Sequence, residues 1–242
     1  MIFNSLFKNY NNLVFLTVNT TGFNPKEDRV IELAACKLSI AENGKIAKSR
    51  ADMLVRLPGE QTLPEEIVRI TGITDEMLSA KGMDEEKVSA TFASAIGNPK
   101  TLLIAHNANF HLTFLESMLR RSPMGYVGRL YDCDYLDTMT ILKDRKPYPH
   151  RLENVVEYYD LRAISESKPA TGKAYTTMHL LAAMQGERDD IASYINVFGY
   201  NPRYGTDGTL PHVNYLPQIF HDSIAEPEDT LPAIAKDLEL EG

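Results

Sequence analysis

Apolar runs near the beginning of the chain predict three β-strands in succession. They cover residues 13–19, 29–40 and 45–57, and the first is an almost unbroken run of apolar and β-branched residues, typical of a buried strand. Gly22 and Asn24-Pro25 mark a loop between the first two runs. Asn43-Gly44 separates the second and third runs and is a strong signal for a two-residue hairpin turn. We therefore expect an antiparallel three-stranded section.

Helical spacing replaces this pattern in the middle of the chain. Pro64 and Thr74 each introduce a short predicted helix, and residues 84–96 form a longer one that Gly97 ends. A short apolar strand at 101–105 precedes a helix at 108–121, and further helices are predicted at 150–159 and 173–184. Because strands separated by a crossover helix pair in parallel, the sequence predicts an α/β fold with a mixed sheet: antiparallel first, then parallel, flanked by helices.

The amino-acid composition changes after Gly186. Glycine, proline and tyrosine recur over residues 194–220, which predicts an irregular arm, and residues 222–242 carry seven acidic residues against one lysine. We predict a domain at 1–188, an arm packed on it at 189–221 and an acidic tail at 222–242. The aromatic residues of the arm either stack bases or fasten the arm to the core. The tail is either a solvated end or a short peptide that docks on a protein partner.

Composition narrows the class of protein. The chain has 242 residues and a formal net charge of -8, which disfavours broad, nonspecific binding to nucleic acid but leaves room for a local basic groove. Cys36 and Cys133 are far apart, which predicts two reduced thiols and neither a disulfide framework nor a zinc site. We expect no secretory signal and no membrane segment, and a cytoplasmic location.

Four stretches of the chain, taken together, resemble one known family. They read FLTVNTTGFNP at 15–25, ITGITDE at 70–76, AHNANFHLTFL at 105–115 and HRLENVVEYYDL at 150–161. Their order and spacing are similar to the DEDDh 3′–5′ exonucleases, the family of the epsilon proofreading subunit of bacterial replicative polymerase. The resemblance spans roughly residues 10–185 and implies a ribonuclease-H-like fold.

The resemblance also implies a chemistry for which this chain lacks the groups. Family members hold two Mg²⁺ or Mn²⁺ ions with four carboxylates, and a histidine acts as general base toward water. The corresponding positions here are Thr17, Asn19, His111, Gly172 and Thr177. None of these side chains is an acid, and hard divalent cations require anionic oxygens. We therefore expect no functional catalytic residue, no metal site and no cofactor.

Other residues are candidates for contact with nucleic acid. Some follow from their place in family-like motifs, and the rest form a basic cluster around two prolines that is either a phosphate contact or a solvated face. The candidates are Thr21, Gly22, Phe23, Asn107, Lys143, Arg145, Lys146 and Arg151. We also expect Asn107 to cap the helix that follows it.

The favoured hypothesis is a degenerate 3′–5′ exonuclease homologue that is catalytically inactive and acts by binding. Its ligand would be a single-stranded nucleic-acid end, a nucleotide or a protein partner. Two alternatives stay open at this point: a purely structural or protein-interaction domain, and an active metal-dependent exonuclease with displaced catalytic groups.

Overall fold

A five-stranded mixed sheet forms the centre of the computed structural model, which describes residues 2–41, 43–97, 100–161, 170–206 and 208–218. Its strands are β1 (Asn12–Thr20), β2 (Val30–Ile40), β3 (Ile46–Leu54), β4 (Thr101–Ala105) and β5 (Asp134–Asp137), in the order β3-β2-β1-β4-β5. The pairs β1–β2 and β2–β3 are antiparallel, whereas β1–β4 and β4–β5 are parallel. The predicted α/β, ribonuclease-H-like architecture is confirmed.

Helices cover both faces of the sheet. Their bounds are α1 (Asn4–Phe7), α2 (Glu65–Thr71), α3 (Asp75–Lys81), α4 (Glu85–Ile96), α5 (Ala108–Arg121), α6 (Val127–Tyr131), α7 (Thr138–Arg145), α8 (Leu152–Tyr158) and α9 (Ala170–Glu187). Alternate residues of β1 serve separate cores: Val14 and Leu16 pack with α4 and α5, and Leu13 and Phe15 pack with α8 and α9. Because both faces of β1 are covered, all nine of its residues are buried, as its apolar run predicts.

Two helix ends lie where local sequence signals predict them. The hydroxyl of Thr74 accepts a hydrogen bond from the Met77 backbone N–H at 3.3 Å and caps α3. Gly72 ends α2 with a left-handed backbone, at φ 71°, which glycine adopts without steric cost.

The segment from 122 to 149 is more regular than the sequence pattern indicated. It contains α6, β5 and α7, none of which was predicted, and β5 is only four residues long. A strand this short shows too little periodicity to be read from sequence alone.

The arm is also more ordered than predicted. Instead of purely irregular structure it holds a 3-10 turn (Ile191–Tyr194) and a two-stranded parallel sheet formed by β6 (Val197–Tyr200) and β7 (Asn214–Pro217). The buried ring of Phe198 joins the core next to α5, and the Tyr215 hydroxyl donates to Asn109 Oδ1 at 2.7 Å. These two aromatic residues fasten the arm to the domain. The predicted acidic tail at 222–242 lies outside the described residues.

Candidate functional site

The degenerate motif positions lie on β1 and on the helix that packs against it. Thr17 and Asn19 are two residues apart on β1, so their side chains share the face that α9 covers. Both side chains are buried, as are Gly172 and Thr177 on α9. The Thr177 hydroxyl donates to the Lys173 carbonyl oxygen at 3.0 Å, a bond within its own helix. The Thr177 hydroxyl is therefore satisfied within the protein, whereas Asn19 Oδ1 is buried without a hydrogen-bond partner among the described residues.

His111 ties α5 to the end of β1. Pairing between β1 and β4 stops at Phe15, and the Val18 backbone N–H donates instead to His111 Nδ1 at 3.2 Å. The pKa of His111 is lowered to about 3, chiefly by burial and to a smaller extent by the nearby Lys173 ammonium. His111 is thus a neutral imidazole with its proton on Nε2, and it replaces a missing sheet partner.

Asn19 faces a buried carboxyl group on the neighbouring strand. It pairs with Glu32 across the antiparallel ladder, and its Nδ2 donates to Glu32 Oε2 at 2.5 Å. Burial raises the pKa of Glu32 to about 7, and Asp52 on β3 raises it through its charge and a hydrogen bond, while Asn19 and Lys173 act in the opposite direction. A buried carboxyl group that holds its proton more strongly than an ordinary glutamic acid therefore lies directly beside the motif position of Asn19.

These groups do not fit the divalent ions used by the family. Thr17, Asn19, His111 and Thr177 are neutral, and the ammonium of Lys173 lies close enough to His111 and Glu32 to shift both pKa values. In the part of the chain that the structure describes, no three His, Cys, Asp or Glu side chains are grouped to hold a metal ion. A site with this donor set lacks the negative charge that attracts two Mg²⁺ or Mn²⁺ ions.

Asp137 has a structural role near the motif positions that the sequence analysis missed. Its carboxylate accepts from the backbone N–H groups of Met139 and Thr140, both at 3.1 Å, and so caps α7. It also accepts from the Ala108 N–H at 3.1 Å, at the beginning of α5. The expectation that Asn107 caps α5 is therefore wrong: Asn107 has a left-handed backbone, at φ 64°, and makes no side-chain cap. An Asp immediately before a helix is a signal that could have revealed this role.

His106 is held in a buried network beside Asp137. Its Nε2 lies 2.8 Å from the His150 carbonyl oxygen and its Nδ1 lies 2.9 Å from the Thr138 hydroxyl. Because a carbonyl oxygen only accepts, Nε2 carries the proton and Nδ1 accepts from the hydroxyl. Burial lowers the pKa of His106 to about 4, so this imidazole is also neutral. The histidine therefore joins β4 to α7 and to the segment before α8.

The loop after β1 is held by internal contacts. The Thr21 hydroxyl donates to Asp28 Oδ1 at 3.0 Å and accepts from the Arg29 N–H at 3.0 Å. A Cβ on Gly22 would lie 2.6 Å from the Asp28 carboxylate, so a larger residue there would require that carboxylate to shift. Phe23 is half-buried against the core shared with α4 and α5. A contact of Thr21, Gly22 or Phe23 with nucleic acid stays a prediction.

The predicted basic cluster is divided by the structure. The Arg145 side chain is 3% exposed, forms ion pairs with Glu187 and Asp190, and donates to the Met184 carbonyl oxygen at 2.6 Å. Lys146 pairs with Glu187 at 2.6 Å. These cations join α7 to the end of α9.

Lys143, Arg151 and Asn107 are half-buried. Their contact with nucleic acid stays a prediction.

Comparison with known proteins identifies the class to which this fold and site correspond. The family model described as Exonuclease matches residues 14–166, and the chain belongs to this family, in its DEDDh, ribonuclease-H-like branch. The chain is 33% identical over 177 residues to the PolC-type DNA polymerase III of Halalkalibacterium halodurans. The matched region covers 71% of this chain and 11% of that protein. The chain is also 29% identical over 189 residues to the DNA polymerase III subunit epsilon of Treponema pallidum, covering 76% of this chain and 82% of that one.

Solved structures show the same fold. Exonuclease I of E. coli, in complex with a dA16 oligonucleotide, superposes on this chain with a TM-score of 0.64 at 18% identity. The superposed region covers 76% of this chain and 42% of the exonuclease I chain. The complex with a dT13 oligonucleotide gives a TM-score of 0.63. This chain spans about a tenth of the PolC-type relatives and less than half of exonuclease I. Among the described residues, no helix combines the length and apolar character required to cross a membrane.

Proposed function

We propose that this 3′–5′ exonuclease-like domain does not hydrolyse phosphodiester bonds and acts by binding single-stranded nucleic acid. One observation carries the first part of the proposal. The motif positions supply no carboxylate. Instead, Asn19 donates to Glu32, His111 accepts from the backbone of β1, and the Lys173 ammonium lies nearby. Metal-dependent hydrolysis in the family depends on the charge of such carboxylates.

The binding role is supported by the same change in charge. Four carboxylates without metal ions would repel the phosphates of a nucleic acid, whereas neutral residues beside a lysine do not. Exonuclease I, which has the same fold, has been solved with oligonucleotides bound. We therefore expect the domain to retain affinity for single strands without requiring a divalent cation.

A combined cleavage and binding experiment tests this proposal. Purified protein is incubated with 5′-labelled single-stranded DNA and RNA, with and without Mg²⁺ or Mn²⁺, and both shortening and retention of the strand are followed. We expect retention without shortening in every condition. Metal-dependent shortening that persists through further purification would show that the domain is an active exonuclease. Neither shortening nor retention would favour a protein-interaction domain.

Restoring the family residues provides a companion experiment. The variant carries Thr17→Asp, Asn19→Glu, His111→Asp, Gly172→His and Thr177→Asp. If these positions correspond to the family's metal-binding motif, Mg²⁺ or Mn²⁺ should raise the melting temperature of the variant and leave that of the unmodified chain unchanged. A variant that folds, by circular dichroism, yet shows no metal-dependent shift would contradict this correspondence.

A further inference from the structure

Two exposed cations lie on the edge strand β3, beside α9. Lys48 and Arg50 are two residues apart on β3, so their side chains project from the same face, toward α9. The Lys48 Nζ lies 3.8 Å and the Arg50 guanidinium carbon 4.1 Å from the centre of the Tyr175 ring. His179, one helical turn further, meets the same ring edge-on at 4.5 Å between ring centres. We call these four residues the β3–α9 patch.

The β3–α9 patch is continuous with the degenerate motif site. Thr171 precedes Tyr175 by four residues and therefore lies on the same face of α9. Its hydroxyl donates to Asp52 Oδ2 at 3.4 Å, and Asp52 lies two residues beyond Arg50 on β3. Asp52 in turn is hydrogen-bonded to Glu32, the partner of Asn19. A chain of contacts therefore connects the β3–α9 patch to the motif site.

The two cations of the patch have no anionic partner among the described residues. Within the described ranges, neither Lys48 nor Arg50 forms an ion pair with a carboxylate, and both are exposed. The pKa of His179 is lowered mainly by burial and, to a smaller extent, by the positive charges of Lys48 and Arg50. Two like charges against one ring repel each other, and an exposed cation–π contact offsets this repulsion only in part. An external anion would reduce the repulsion between the two cations.

The nearby carboxyl groups do not supply that anion. Asp52 is engaged with Glu32 and Thr171, and the Glu32–Asp52 pair lies near the Lys173 ammonium, on the side of the motif site. Among the described residues, the surface at Lys48 and Arg50 is therefore positively charged.

We propose that the β3–α9 patch binds the phosphate backbone of single-stranded nucleic acid. This inference rests on the proposed function and adds to it a location and a ligand chemistry. Lys48 and Arg50 supply two cations, one for each of two neighbouring phosphates. Tyr175 holds both cations in place. These contacts involve only the backbone, so the binding is independent of base sequence.

The dependence of binding on salt tests the patch. Binding of 5′-fluorescein-labelled oligo(dT) to the full chain is measured by anisotropy at several KCl concentrations without divalent metal. Each phosphate contact to a single strand contributes about 0.7 to the slope of log K against log salt. We expect Lys48→Ala with Arg50→Ala to reduce that slope by about 1.4. A matched variant, Lys81→Ala with Lys87→Ala, removes the same charge from exposed positions on α3 and α4 and should leave the slope unchanged.

A charge-preserving variant keeps the test independent of folding. Lys48→Arg with Arg50→Lys should keep the slope of the unmodified chain. Equal slopes for the patch variant and the α3–α4 variant would overturn the inference and leave the proposed function standing. No binding of oligo(dT) by the unmodified chain, even at low salt, would overturn the proposed function and this inference together.

Discussion

Acidification should destabilise this domain chiefly through two buried neutral histidines. Burial lowers the pKa of His106 to about 4 and that of His111 to about 3, from an ordinary value of 6.5. A histidine with a depressed folded-state pKa contributes stability that is present above pH 6.5 and is lost as the pH falls toward its folded pKa. The unfolded chain binds protons in this window, whereas the folded chain does not.

The magnitude follows from the difference between the two pKa values. Each pKa unit corresponds to about 1.4 kcal/mol, so at pH 4 each histidine lowers the free energy of unfolding by about 3 kcal/mol. The sum is a large part of the 5–15 kcal/mol that stabilises an ordinary domain. Urea unfolding followed by circular dichroism at pH 7 and pH 4 should therefore show a marked loss of stability.

A single substitution isolates the contribution of His111. His111→Asn keeps an acceptor oxygen for the Val18 N–H but removes the titrating group, so the loss between pH 7 and pH 4 should shrink by about 3 kcal/mol. His212→Asn is the matched control, because His212 is exposed. If the pH dependence of His111→Asn runs parallel to those of the control and the unmodified chain, the assignment of a buried, neutral His111 is refuted.

Three further predictions concern charge. The Glu32 carboxyl group, with its pKa raised to about 7, stabilises the fold below pH 4.5, and this contribution is lost as the pH rises through 7. Glu32→Gln should therefore reduce the loss of stability between pH 5 and pH 8 by up to about 3 kcal/mol. Urea unfolding measures this change, and an unchanged pH dependence would contradict the prediction. Arg145→Ala should lower the free energy of unfolding by about 1–3 kcal/mol at neutral pH, because it removes a buried guanidinium that donates to the Met184 carbonyl oxygen, while Lys146 still pairs with Glu187 and Arg188 with Asp190; Arg203→Ala, at an exposed position, is the control. Millimolar Mg²⁺ or Mn²⁺ should leave the melting temperature unchanged, and a rise of several degrees would show that a metal site exists.

The parts of the fold that were predicted are those with long, regular patterns. β1 has an almost continuous apolar run because helices cover both of its faces, and the Asn43-Gly44 turn predicts the antiparallel pairing of β2 with β3. β5, with four residues, and the paired strands of the arm are too short for such a signal, and their stability comes from tertiary contacts such as the burial of Phe198.

The candidate site was only partly predictable for a different reason. Thr17, Asn19 and His111 are adjacent to distinctive residues, so their place in the motifs could be read from sequence. The role of Glu32 depends on the register between β1 and β2, which the loop between them does not specify. The grouping of Lys48 and Arg50 with Tyr175 depends on how α9 packs against β3, a long-range contact that no local pattern contains.

The central claim is that this exonuclease-family domain has lost the charge that metal-dependent hydrolysis requires. The most direct test is to follow 5′-labelled single-stranded DNA and RNA with the purified chain in Mg²⁺ or Mn²⁺, beside the five-residue restoration variant as a control for the substrate and the metal. We predict full-length strands with the unmodified chain at every time point. A ladder of shortened products that requires the metal and copurifies with the unmodified chain would contradict the account.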